Sequence, residues 1–270
     1  DEGAREAEMA LQKYPNRFAV VYPAARLFHM AGIERKREPA LRRALELLSH
    51  ACRLLDQNSD PAISETSLRI EMADALLGLG EEERAIAMLR ANNPCGVNDE
   101  AIGCILAGMA GRREEALPLL SIALLRHVTA ILQIGSKLCN IYEDRGRLDQ
   151  ADEILAWLYP FLRGLERPDQ VSYLTKFRAA ALGCRAQIAW KSGRKTDAEA
   201  FLREALALAA RFDAAPSYRA DAIRWYEGPE TAMAYDSMGA TAEDAVRQAF
   251  TQQGEDAAAE AFLAALQAEG

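Results

Sequence analysis

A glycine, an alanine five residues later and a leucine four residues after that recur together along the chain. The five sets are Gly80-Ala85-Leu89, Gly111-Ala116-Leu120, Gly146-Ala151-Leu155, Gly193-Ala198-Leu202 and Gly254-Ala259-Leu263. Glycine readily adopts the left-handed conformation that ends one helix and turns the chain into the next. Alanine lets two helices approach closely, and leucine one turn later fills the seam beside it. The register therefore predicts helix hairpins with these glycines at the corners.

Each of the four internal glycines is also preceded, seven residues upstream, by a small residue. These residues are Ala73, Cys104, Cys139 and Ala186. A small residue at this place suits a helix that crosses tightly over its hairpin partner. The pattern therefore predicts that Cys104 and Cys139 are packing residues. The five cysteines are odd in number and far apart, and no Cys or His pair has metal-ligand spacing, so we expect no metal site.

Composition excludes several classes of partner. The chain has 32 basic and 40 acidic side chains, a formal net charge of −8, and no dense cluster of Lys and Arg with which to bind nucleic acid. Uninterrupted apolar runs are far shorter than the roughly 18–20 residues that cross a membrane, so we expect no membrane contact. Cysteine used as a small buried residue suits the cytoplasm. The helical pattern is already under way at Asp1, which we interpret as the start of an excised fragment.

The glycine, alanine and leucine pattern resembles tetratricopeptide-repeat (TPR) arrays, in which a helix-turn-helix unit of about 34 residues repeats. The resemblance is best over residues 62–160. It implies an all-α fold, a right-handed superhelical stack of antiparallel helix hairpins of the TPR-like α-solenoid type. We expect the repeat array over residues 1–212 and a C-terminal helical extension that closes the stack over 213–270. Among the predicted helices are 113–127, which ends one hairpin, 129–145, which begins the next, and 217–227 and 229–238 in the extension.

A second resemblance concerns the order of segments. The motif Leu11-Gln12-Lys13-Tyr14-Pro15-Asn16, the stretch Leu45–Asp56 with Asn58-Ser59-Asp60-Pro61, and the run from Leu68 to Ala85 resemble the region that follows the helix-turn-helix in bacterial XRE-type (Cro-like) transcription regulators. In that family the TPR-like repeats carry sensing and dimerisation. The resemblance implies that DNA is contacted only through an N-terminal domain that is absent from this chain.

The sequence offers no catalytic set. His29, His50 and His127 have no Cys, Asp or Ser at a spacing that builds a nucleophile or a metal site, and no phosphate-binding glycine loop or nucleophile elbow occurs. We therefore predict that the chain is not an enzyme and has no cofactor. A buried polar cluster would be needed to support the alternative of an enzyme.

Stacked hairpins present a concave groove lined by the first helix of each pair. The polar residues predicted to face it, and so to bind a peptide or protein ligand, are Arg69, Asp74, Gln133, Ser136, Lys137, Asn140, Gln187 and Trp190. Lys137 and Asn140, one turn apart, could grip a peptide backbone or a terminal carboxylate. For each of these residues, an ordinary solvent-facing position is the alternative.

These observations predict a peptide- or protein-binding and dimerisation domain that acts as the sensor of a bacterial transcription regulator. The alternative is a free-standing scaffold without a transcriptional role. Aromatic residues concentrate in the segment that contains Tyr218, Trp225, Tyr226 and Tyr235. They are expected to close the stack, with a contact in a homodimer as the alternative reading.

Overall fold

Twelve α-helices provide nearly all the regular structure in the computed structural model, which describes residues 2–229, 233–234, 236–252 and 256–268. In chain order they are α1 (Glu2–Lys13), α2 (Phe18–Arg35), α3 (Glu38–Arg53), α4 (Glu65–Gly78), α5 (Glu82–Ala91), α6 (Asp99–Gly108), α7 (Arg113–Asp144), α8 (Leu148–Leu165), α9 (Tyr173–Lys191), α10 (Lys195–Ala214), α11 (Ala242–Thr251) and α12 (Ala257–Ala268). Pairing of extended backbone within those residues is limited to two isolated bridges.

The helices form two units, residues 1–120 and 121–270. Within each unit a helix packs mainly against its neighbours in sequence, as hairpins joined by short turns require. The helix α7 contributes its first two turns to unit 1 and the rest to unit 2. The expected fold class, an all-α succession of antiparallel helix hairpins of the TPR-like α-solenoid type, is confirmed. The predicted division of the chain at residue 212 stays a prediction.

Unit 1 contains the hairpins α2–α3 and α4–α5 and the pair formed by α6 and the start of α7. Glycines mark the closest contacts. A β-carbon on Gly32 of α2 would lie 2.6 Å from Leu41 of α3, and one on Gly103 of α6 would lie 2.8 Å from Leu120 of α7. Because these positions carry no side chain, buried Leu41 and partly buried Leu120 reach the opposing backbone and fill the seam.

The predicted corners are confirmed at all four internal glycines of the repeat register. Gly80, Gly111, Gly146 and Gly193 have φ values of +72°, +80°, +69° and +75° and lie between helices. At Gly146 the next backbone N–H, that of Arg147, donates to the Tyr142 carbonyl at 2.8 Å, the bond that closes a Schellman motif. The fifth glycine of the register, Gly254, lies outside the described residues.

Unit 2 is built around α9, which packs against α8, α10 and α11. Most of α9 is buried, and it begins with a capping box in which Ser172 and Thr175 satisfy each other's backbone N–H groups. Gly183 allows α11 to approach, because a β-carbon there would lie 3.0 Å from the Val246 carbonyl oxygen. A central helix with neighbours on three sides is typical of stacked hairpins.

The predicted break between helices 113–127 and 129–145 is wrong, since α7 is one continuous helix of 32 residues. The break was expected from the repeat period, but the local sequence has no stop signal. From Ser121 to Asp144 there is no proline, and the only glycine, Gly135, lies in the helix interior. Leu and Ile are the most frequent residues in this stretch, and neither interrupts a helix.

Among the described residues, α7 is also the one helix long and apolar enough to cross a membrane. The expectation from uninterrupted apolar runs missed it because Arg126 and His127 divide its apolar stretch. One helix of this kind is weak evidence for a membrane protein, because core helices of soluble proteins meet the same criterion.

The helices predicted at 217–227 and 229–238 are also wrong for the part that is described. Apart from one short 3-10 turn, Ala220–Ala222, the backbone from Ala215 to Ala240 is irregular where it is described. Pro216, Gly228, Pro229 and Gly239 oppose helix formation there. The segment instead packs onto unit 2, with Ile223 bridged to Glu166 at the end of α8. Glu230, Thr231, Ala232 and Tyr235 lie outside the described residues.

Candidate functional site

The second half of α7 carries two apolar stripes that face in different directions. One contains Val128, Leu132 and Cys139, which are buried against the rest of unit 2. Along the other, Ile134, Leu138 and Ile141 are 60%, 42% and 45% exposed. A large apolar side chain exposed singly is ordinary, but three at helical spacing form a continuous apolar surface.

The neighbouring helix α8 continues this surface. The two helices are antiparallel and meet where Leu158 packs on Gly135, whose β-carbon would lie 2.6 Å from Leu158 Cδ1. On α8, Trp157 is 55% exposed and stacks on Phe161 with a ring-centroid distance of 5.6 Å.

Helix geometry places both stripes on one side of the hairpin. In two antiparallel right-handed helices, the residues that immediately precede the contact positions turn toward the same side. Each stripe residue directly precedes a position that packs between the helices, as Ile134 precedes Gly135 and Trp157 precedes Leu158. We call this surface the α7–α8 apolar face; it comprises Ile131, Ile134, Leu138, Ile141, Ile154, Trp157 and Phe161.

Polar residues border the α7–α8 apolar face on both helices. On α7 the exposed residues Gln133, Lys137 and Asn140 each precede a residue of the face, and on α8 exposed Glu153 precedes Ile154. The α7 edge therefore carries two amides and one cation, Lys137, while the α8 edge carries one anion, Glu153. A shallow groove runs beside Gln133, Ile134, Lys137, Leu138 and Ile141.

Four of the eight residues predicted from sequence lie together on this part of α7. Gln133, Ser136, Lys137 and Asn140 are all exposed, and the structure adds the apolar residues between them. Sequence reasoning missed those apolar residues because it selected only the polar side chains of this helix as candidates for binding. The available signal was the spacing of Leu124, His127, Ile131, Ile134, Leu138 and Ile141, which alternates between three and four residues as in a heptad seam.

Two other predicted residues, Arg69 and Asp74, lie on α4 in unit 1. Arg69 is ion-paired with Glu65 one turn earlier, at 2.6 Å. Asp74 is exposed, and its carboxylate lies 2.9 Å from Nε2 of His29 on α2. Both polar groups therefore have a partner within their own unit.

The remaining predicted residues, Gln187 and Trp190, lie inside unit 2. Gln187 is buried, and its side-chain amide donates to Oε1 of Glu143 at the end of α7, at 3.0 Å. The same carboxylate oxygen accepts from Lys191 and, at 3.0 Å, from the Gln252 side chain after α11. Trp190 packs against Phe250 and Phe262. These two side chains connect helices of unit 2.

The two cysteine predictions have different outcomes. Cys139 is buried as expected, and burial raises the pKa of its thiol to about 12. For Cys104 the prediction is wrong, because this side chain is exposed. The small residue at the corresponding helix contact is the preceding one, Gly103, which packs on Leu120.

Polar clusters outside this face serve packing within unit 2. The buried carboxylate of Glu166 accepts hydrogen bonds from Thr175 and Arg178, and Arg178 also donates to the Tyr159 hydroxyl at 2.9 Å. No group of three or more His, Cys, Asp or Glu side chains in the described part of the chain is placed to hold a metal ion.

Comparison with models of protein families gives no match, and neither does comparison with curated protein sequences. Among solved structures, two crystal structures of TPR-like repeats of a kinesin light chain from Podosopora anserina, one of them a single-residue variant, align with this chain. Each has 17% sequence identity and a TM-score of 0.31, and each alignment covers 75% of this chain and 99% of the other.

Proposed function

We propose that this chain is a non-catalytic protein-interaction module that binds a helical partner on the α7–α8 apolar face. The observation that carries the proposal is the exposure of four large apolar side chains, Ile134, Leu138, Ile141 and Trp157, on one side of a single hairpin. Exposed apolar patches with a polar border are typical of protein interaction sites.

The spacing of the face favours a helix as the partner. Ile131, Ile134, Leu138 and Ile141 repeat at the alternating three- and four-residue interval of a helix–helix seam. A helix laid along this interval buries about one side chain per turn, whereas an extended peptide has a period of two and does not match it. Gln133, Lys137 and Asn140 beside the seam supply hydrogen bonds that fix its register.

The biological setting is a further part of the proposal. The resemblance of segment order to XRE-type regulators supports a sensor and dimerisation role within a bacterial transcription regulator, and the dispersed cysteine thiols suit the cytoplasm. The residues encoded upstream of Asp1 in the natural gene test the regulator role. A helical segment with a basic recognition helix supports it, and a different upstream sequence favours the free-standing scaffold.

Site-specific photo-crosslinking in cells tests the interaction itself. A photoreactive amino acid in place of Ile134 is expected to capture a discrete protein, and the same amino acid in place of Ala261, exposed on α12, is the matched control. The captured protein is identified by mass spectrometry, and its binding is then measured with purified components. The Ile134→Lys variant should abolish that binding, because it places a charge in the seam. Equal labelling from both positions contradicts the proposal.

A further inference from the structure

We infer that the partner on the α7–α8 apolar face is a second copy of this chain, joined so that the two hairpins form a four-helix bundle. This inference rests on the proposed function, because it names the occupant of the same face.

Within unit 2, the hairpin of α7 and α8 packs on α9 through the side that carries Cys139, and the α7–α8 apolar face is its outer side within that unit. A hairpin side that no helix of its own unit covers is normally polar. Here Ile134 and Trp157 are 60% and 55% exposed on that outer side. A surface of this kind needs a cover that is always present, and a second copy of the chain is present wherever the chain is.

Two-fold symmetry gives this face a regular way to pair. A two-fold axis parallel to the helices places α7 of one protomer over α8 of the other, and α8 over α7. Because α7 and α8 are antiparallel, every neighbouring pair in the resulting four helices is antiparallel too. This is the up-down-up-down arrangement of ordinary four-helix bundles, whose seams repeat at three- and four-residue intervals.

The edge charges are complementary in this arrangement. Lys137 borders the face on α7 and Glu153 borders it on α8, and both side chains are exposed. The contact of Gly135 with Leu158 sets the relative level of the two helices, and Glu153 therefore lies level with Asn140. Measured along the helix axis, Glu153 is within about 5 Å of Lys137. A two-fold parallel to the helices preserves these levels and brings each Lys137 to the partner's Glu153. The pairing therefore forms two inter-protomer ion pairs.

The orientation matters, because other pairings do not give this match. An axis perpendicular to the helices brings α7 against the partner's α7 and so places the basic edges near each other. Like charges at an interface oppose association and select against that orientation. The edge charges thus favour the bundle with alternating helices.

Light scattering coupled to size exclusion tests the inference on the full chain. The wild-type protein is expected to be a dimer. Ile134→Lys should raise the dimer Kd by more than about 100-fold, because a charge at the centre of the seam has no partner. Lys137→Glu and Glu153→Lys should each raise Kd about tenfold, since each creates two like-charge contacts.

The double variant Lys137→Glu/Glu153→Lys decides the orientation. It re-creates both ion pairs with the charges exchanged, so its Kd should return to within about threefold of wild type. Lys13→Glu, exposed on α1, changes the net charge by the same amount as Lys137→Glu and should leave Kd unchanged. Circular dichroism establishes that each variant is folded.

Three results overturn the inference: a monomeric wild type, a dimer insensitive to Ile134→Lys, or a double variant no better than the single ones. If the wild type is monomeric while the photoreactive residue at position 134 captures a different protein, the second copy is excluded and the proposed function stands. If position 134 captures nothing above its control, the proposed function fails as well.

Discussion

Gly135 on α7 lies directly beneath Leu158 on α8, so close that a β-carbon on the glycine would be 2.6 Å from the leucine Cδ1. This contact fixes how the two helices align, and it therefore also fixes which side chains share the α7–α8 apolar face. Leu158 is buried, with a relative exposure of 2%, and has little space in which to move away.

Replacing Gly135 with alanine is therefore expected to destabilise unit 2. The new methyl group must displace Leu158 or push the helices apart, and overpacking of this kind costs about 1–3 kcal/mol. Urea denaturation measures the free energy of unfolding. The matched control is Gly164→Ala in the last turn of α8, where a β-carbon would have nothing within 4 Å. That change should be neutral or stabilising by up to about 1 kcal/mol, because alanine favours helix. Equal effects of the two variants would contradict the close packing.

Substitution of the corner glycine Gly193 separates conformational cost from steric cost. Its φ is +75°, and a β-carbon there would meet nothing within 4 Å. Gly193→Ala should therefore lower the free energy of unfolding by about 1–2 kcal/mol through backbone strain alone. Gly193→Asn should cost less, because asparagine tolerates the left-handed region. Thermal melts of the two variants give the comparison, and an alanine variant as stable as wild type would contradict it.

Lys176 and Asp236 form a buried ion pair that attaches the irregular backbone described around residues 216–229 and 236–240 to α9. The Lys176 side chain is fully buried, and its Nζ lies 3.1 Å from Asp236 Oδ1, 3.0 Å from the Tyr218 hydroxyl and 2.7 Å from the Gly239 carbonyl oxygen. Lys176→Met leaves Asp236 buried without its counter-charge and should cost about 3–5 kcal/mol. Hydrogen exchange should then show faster exchange of the backbone amides of Ile223 and Tyr226, which donate to the Ala220 and Ile223 carbonyls within this segment.

The double variant Lys176→Met/Asp236→Leu is the control for that prediction. Removing both charges should restore part of the lost stability, since no unpaired charge remains. Burial alone would lower the pKa of Lys176, but Tyr218 and Asp236 together raise it above its usual value. The stabilisation that follows from this raised pKa is fully present below the lysine pKa of the unfolded chain, about 10.4. It is lost as the pH rises through the higher pKa that Lys176 has in the folded protein. From about pH 6 to about pH 9, the protonation of Lys176 should therefore contribute no pH dependence to the free energy of unfolding.

The cysteines should divide into two classes when they react with a thiol reagent at mildly alkaline pH. Burial raises the pKa of Cys139 to about 12 and that of Cys184 to about 11, so each forms little thiolate in the folded protein. Cys95 and Cys104 are exposed and should react first. Titration with a chromogenic disulfide, with labelled sites located by mass spectrometry, measures the order. Rapid labelling of Cys139 before unfolding would contradict the packing assigned to α7 and α8.

The sequence was a good guide wherever a local conformation determines the structure. The left-handed glycines predict the corners at residues 80, 111, 146 and 193, because that backbone conformation excludes most other residues whatever lies around them. The alanines at the next repeat position, such as Ala85 and Ala151, are fully buried as the spacing implies. Periodicity of this kind is set by helix geometry and is visible in the chain itself.

Sequence gave weaker guidance on which side of a helix is covered. Cys104 and Gly103 are adjacent small residues, and only the packing of α6 on Leu120 selects Gly103 as the contact. Gln187 is polar, and a groove position suited it equally well from sequence. The structure buries it because Glu143 on another helix accepts its amide. The residue pattern of one helix does not show on which side a neighbouring helix packs.

For this protein the sequence alone determined that the chain is helical, where most helices end, and that polar residues at positions 133 to 140 share one helix face. The tertiary structure decided that α7 passes through the expected corner without a break and leaves Ile134, Leu138, Ile141 and Trp157 exposed together. The reason is that helix stops depend on a few adjacent residues, whereas exposure depends on which distant helices pack against a surface.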